Sequence, residues 1–172
     1  MTPFLLVIPL MAMQAPPVPL PEVKAKDLAL APRGPMPPHF RDAGFESGPM
    51  GLARRGARMG PSIPALQLPA GSVRVKDAIP DISGWRAYAI EVPGGGTVKA
   101  QVVEGRKGWF RVLGVNAWGR EEAGLLQNRI HTGEPQATYK NPTPETRTIY
   151  FIVDTLDINM VGEAYTLEIT RG

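Results

Sequence analysis

Few side chains in this sequence are equipped for covalent or acid–base chemistry. The two histidines, His39 and His131, sit far apart in the chain, and no His-Glu-x-x-His motif joins them to a carboxylate. Cysteine is absent, which removes disulfides, thiolate nucleophiles and every zinc or iron–sulfur site built on sulfur. Ser47, Ser62, Ser72 and Ser83 lack the Gly-x-Ser-x-Gly elbow that exposes a nucleophile. Gly94-Gly95-Gly96 follows a strand pattern and opens no helix, so it reads as a turn and not as a phosphate cradle. The sequence therefore points away from an enzyme.

Three groups of residues could bind something. Asp154, Asp157 and Asn159 offer hard oxygen ligands at short spacing and could contribute to a calcium site, although calcium takes about six to eight oxygens. A polar turn between two strands is the simpler reading of the same residues, and no cofactor is expected. Arg54, Arg55 and Arg58 form the densest basic cluster, with no acid between Glu46 and Asp77, and could touch an anionic surface. Three charges without interleaved aromatics fall short of a nucleic-acid interface. Among the tryptophans, Trp85 and Trp109 stand in strand patterns and are expected in the core. Trp118, in the turn-like Asn116-Ala-Trp118-Gly119-Arg120, is the one expected to face solvent, and with Arg120 it is the best candidate for a partner contact.

The elements that must position these groups are distributed unevenly. Residues 1 to 70 hold 14 of the 19 prolines but only 3 of the 12 aromatics. They also carry seven basic and four acidic residues, so the whole net charge of +3 comes from this part. The opening Met1 to Ala15 is uncharged and largely apolar and ends in a small residue, which predicts a secretory signal peptide over residues 1–15. Pro16-Pro-Val-Pro-Leu-Pro21 favours an extended polyproline II segment. Residues 16–70 as a whole show no sustained period of 2 or 3.6 and are expected to be a disordered Pro/Gly/Arg-rich linker. At its end, Leu66-Gln-Leu68, with a proline close on each side, is limited to a short edge strand.

From residue 71 to 172 the pattern changes to short alternating runs separated by turn residues, which predicts an antiparallel two-sheet β-sandwich, jelly-roll-like. Seven or eight strands are expected. Arg86 to Val92 and Thr97 to Val102, joined by the glycine-rich turn, are expected to form a hairpin. Trp109 to Val115 is apolar on both faces, as in a strand at the centre of a sandwich, and Gly114 within it suggests a bulge or a close backbone approach. Residues 120 to 129 read as a loop or short strand, and a short strand is expected near Gln136 to Tyr139. Thr146 to Asp154 and Ala164 to Thr170 complete the set.

The closing segments, Ile149-Tyr-Phe-Ile-Val-Asp154, a polar loop with Gly162, then Ala164-Tyr-Thr-Leu-Glu-Ile169, resemble the terminal hairpin of the bacterial pre-peptidase C-terminal domain family. The order Trp85 to Val92, glycine-rich turn, Thr97 to Val103 is similar to that family's opening strands. The resemblance implies a β-sandwich appended to exported enzymes. The family's Asp-rich middle strand is replaced here by Trp109-Phe-Arg-Val-Leu-Gly-Val115, which removes the basis for carrying over its calcium or collagen binding.

Taken together, the sequence predicts a secreted or periplasmic, envelope-associated, non-catalytic module that recognises a protein or polysaccharide. The alternative is a structural or assembly subunit whose N-terminal tail docks on a neighbour and so makes an oligomer. Neither a nucleic-acid partner nor a membrane span after signal removal is expected.

Overall fold

Alternation of apolar and polar residues builds most of this molecule, and the computed structural model describes it over residues 19–36, 62–80, 84–127, 134–155 and 160–172. Ten strands occur among the described residues: β1 Glu22–Lys24, β2 Ala65–Gln67, β3 Val73–Ala78, β4 Trp85–Val92, β5 Thr97–Glu104, β6 Phe110–Val115, β7 Leu125–Gln127, β8 Gln136–Lys140, β9 Arg147–Thr155 and β10 Ala164–Arg171. They form a six-stranded sheet, β1-β3-β10-β5-β8-β7, facing a four-stranded sheet, β2-β4-β9-β6. The chain is an all-β sandwich. Val73, Val75, Val98, Ala100, Val102, Leu167 and Ile169 from one sheet meet Tyr88, Ile90, Val112, Ile149, Phe151 and Val153 from the other. Burying such side chains supplies the main driving force, about 1.5–3 kcal/mol for each large aliphatic or aromatic one.

Several strands pair differently from the sequence expectation. The two that flank the glycine-rich turn, β4 and β5, lie in opposite sheets and form no hairpin. The turn instead arches across the sandwich, held by Asn141, whose side-chain amide donates to the carbonyls of Val92, Pro93 and Glu145. Likewise β9 and β10, which carry the resemblance to a terminal hairpin, belong to different sheets. Strand β6 lies at an edge of its sheet, and all six of its residues are buried. Its covering explains this: Leu125 of β7 packs so closely that a Cβ on Gly114 would lie 2.3 Å from its side chain, and the Gln127 side chain accepts a hydrogen bond from the Gly114 amide at 2.6 Å. Trp85 is buried as expected, whereas Trp109, preceding β6 in a short 3-10 turn, is 46% exposed.

Two stretches of the residues read as linker belong to the fold. β1 pairs with β3 and β2 with β4, and these two pairings are parallel while the others are antiparallel. Small apolar residues make this possible without aromatic anchors: Ala25, Leu66 and Leu68 are buried in the main core, and Val23 and Leu28 pack against it. Each strand is three residues long and lies at a sheet edge, which proline-rich flanks allow. The expected signal peptide, the basic cluster Arg54, Arg55 and Arg58, and both histidines lie outside the described residues.

Candidate functional site

Residues 29–36 do more than link strands. The Ala31 amide donates to Ala65 O and the Gln67 amide to Ala29 O, each at 2.8 Å, and Leu30 bridges Leu66 in antiparallel fashion. Further along, the Ile63 amide donates to Pro35 O and the Met36 amide to Ala117 O, just beyond the end of β6. Because β2 and β6 are the two edges of the four-stranded sheet, this double strap crosses that sheet's outer face. It packs Ala31 and Ile63 onto a second apolar cluster of Ala65, Trp85, Ala87, Ala89, Leu113, Val115, Tyr150 and Ile152. Contact within the strap is tight at Gly34, where a Cβ would stand 1.6 Å from the carbonyl oxygen of Ile63.

Where the strap meets the segment after β6, it leaves a groove of about 340 Å³. Leu30, Ala31, Pro32, Gly34, Met36, Pro64, Ala65, Ala117 and Trp118 form its apolar walls; Arg33 and Ser62 are the only polar side chains lining it among the described residues. Leu30 is 68% exposed, Met36 39% and Trp118 72%. A local device fixes Trp118 in this position. The Asn116 side-chain oxygen accepts from the amides of Trp118 and Arg120, at 2.8 and 3.1 Å, and the Gly119 amide donates to Asn116 O. Gly119 takes a φ of 69°, which lets the chain turn back so that the Asn116 amide meets Arg120 O. The indole is thus presented by a hydrogen-bonded turn, at low entropic cost for a partner that binds it.

Sequence reasoning singled out Trp118 and Arg120, and the structure places both in this turn, with Trp118 on the groove wall. It missed Leu30, Arg33 and Met36. Their stretch carries no period and no aromatic, so nothing local marks it as a wall.

Two buried polar clusters lie elsewhere. Asp77 accepts from Arg86 Nε at 2.6 Å, from Arg86 Nη2 at 3.1 Å and from the Tyr88 hydroxyl at 2.6 Å; the Tyr88 and Tyr165 hydroxyls are 2.7 Å apart. Burial, reinforced by the neighbouring phenol and the Asp77 charge, pushes the Tyr88 hydroxyl well above the ordinary tyrosine value, and burial with Asp77 does the same for Tyr165. Both remain neutral at physiological pH and tie the two sheets together. On the outer face of the four-stranded sheet, Arg111 donates to both oxygens of Asp154, at 3.1 and 2.6 Å, and both residues are fully buried. Asp154, one of the three candidate calcium ligands, therefore has its charge matched by a guanidinium. Asp157 and Asn159 lie outside the described residues, among which no group of three or more His, Asp or Glu side chains could hold a metal. No helix among the described residues is long and apolar enough to cross a membrane.

The architecture places the chain among two-sheet β-sandwiches. It is similar to the crystal structure of PliG from Aeromonas hydrophila, a periplasmic lysozyme inhibitor of g-type lysozyme, with a TM-score of 0.41 and 14% sequence identity over 63% of this chain and 96% of that one. A likeness of this size assigns no role to any residue. No protein-family model matches the chain, and no curated protein does.

Proposed function

We propose that this protein is a non-catalytic binding module of the cell envelope or exterior that recognises a protein partner through the groove beside Trp118. The observation that carries the reading is the exposed indole, carried on a hydrogen-bonded turn beside an apolar recess, because aromatic anchors in pockets supply most of the energy of protein contacts. A polysaccharide is the weaker fit. Sugar hydroxyls need partners when they are desolvated, and among the described residues the lining offers only the polar side chains of Arg33 and Ser62. The uncharged apolar opening of the chain supports export.

Parallel affinity capture from envelope extract, with the chain from Pro16 onward and its Trp118→Ala counterpart, tests this directly. A protein retained by the first and lost by the second, at unchanged melting temperature, supports the groove. Equal retention by both moves the contact elsewhere, and reproducible retention of nothing overturns the binding reading.

A further inference from the structure

Resting on that reading, we infer that the groove takes a protein segment presenting an apolar side chain flanked by carboxylates, that is, an acidic peptide. Three of the six large apolar side chains exposed among the described residues, Leu30, Met36 and Trp118, converge on this one recess. That concentration sets the apolar half of the ligand. Charge sets the other half.

Most arginines of the described residues are held by their own chain: Arg74 by Glu168, Arg86 by Asp77, Arg106 by Glu163, Arg111 by Asp154, and Arg171 by the carbonyls of Pro69, Gly71 and Glu91. Arg33, on the groove wall, and Arg120, two residues beyond Trp118, are exposed and make no ion pair with a described residue. Among the described residues no acidic side chain lines the recess. Of the acids that follow Arg120, Glu121 is engaged elsewhere, accepting from the Gln127 side chain whose oxygen takes the Gly114 amide of β6. A guanidinium without a partner beside an apolar floor binds a carboxylate strongly, since the pair forms charge-assisted hydrogen bonds in partly desolvated surroundings. Pro32 and Pro64 withhold amide donors from the rim, so side chains, and not an added strand, must hold the ligand.

The experiment measures fluorescence anisotropy of labelled peptides against the full chain: one with Leu and Phe flanked by Asp and Glu, one with Asn and Gln replacing the acids, one with Lys replacing them. The acidic peptide is expected to bind about tenfold more tightly than the amide version, an advantage that shrinks as salt rises. Arg33→Glu with Arg120→Glu, both on exposed positions, should invert the order in favour of the Lys peptide; Trp118→Ala should weaken all three. Equal binding of acidic and amide peptides, with Trp118→Ala still harmful, overturns the acidic preference and leaves the groove as a protein site. Binding of no peptide overturns the inference, and the capture experiment above then decides separately whether the groove binds a folded partner.

Discussion

The two sheets turn very different outer faces to their surroundings. On the six-stranded sheet that face reads Arg74, Lys76, Lys99, Gln101, Thr138 and Glu168, partly solvated and laced with ion pairs, the half-buried Arg74 with Glu168 and the exposed Lys76 with Glu22. On the four-stranded sheet the equivalent positions Trp85, Ala87, Ala89, Arg111, Leu113, Val115, Tyr150, Ile152 and Asp154 are buried, and the face opens to solvent at the paired Glu91 and Thr148. An antiparallel sheet can leave one face to water only if that face is polar. The second sheet cannot, and the strap of residues 29–36 and 62–66 crosses it for that reason. The groove is a by-product of this cover, formed where the strap ends against the Trp118 turn.

Substitutions on the covered face should be the costly ones. Arg111→Ala leaves the Asp154 carboxylate buried without its guanidinium, and urea unfolding is expected to show a loss of about 3–5 kcal/mol. Replacing both members by apolar residues of similar size, Arg111→Met with Asp154→Leu, should recover most of it. If the single change costs no more than a surface substitution, the contrast between the faces fails.

Between the faces lies the tyrosine pair. Tyr88→Phe strips a donor from buried Asp77 and a partner from Tyr165, with an expected cost of about 1–3 kcal/mol. Both hydroxyls have folded pKa values raised above the unfolded value of 10.0, so their contribution is complete below that pH and is lost as pH rises through the folded values. Stability should therefore decline above about pH 10, with the phenolates of Tyr88 and Tyr165 forming only as the chain unfolds. A comparable loss, about 1–3 kcal/mol, is expected of Gly34→Ala, where the new methyl would meet the Ile63 carbonyl and must push the strap strands apart. Peptide binding at the groove should weaken with it. The smallest effect belongs to the solvated face: Lys76→Gln, which removes an exposed pair with Glu22, should leave the melting temperature where it is.

The strands themselves were legible in the sequence, because period-two alternation marks which residues face inward. Leu66 to Leu68, the short strand near Gln136 and the outward Trp118 follow from residue type and proline placement alone. Pairing was not legible. Alternation says which face a residue takes but not which strand lies beside it, and Pro93-Gly-Gly-Gly96 serves an arch between sheets as well as a hairpin within one. The better clue was that β4 and β9 are apolar on both faces, the mark of strands central to a sheet and covered outside. Residues 29–36 gave no such clue: their place in the fold comes from a surface built by strands far ahead in the chain, so their own composition reads as linker.

Hydrogen–deuterium exchange of four amides, those of Ala31, Met36, Ile63 and Gln67, tests most directly whether the strap belongs to the folded body and frames the groove. Each donates to a carbonyl of the strap, β2 or the Trp118 turn, so protection comparable to neighbouring sheet amides is expected. Exchange at the rate of an unstructured chain, while β4 and β9 stay protected, would contradict the account.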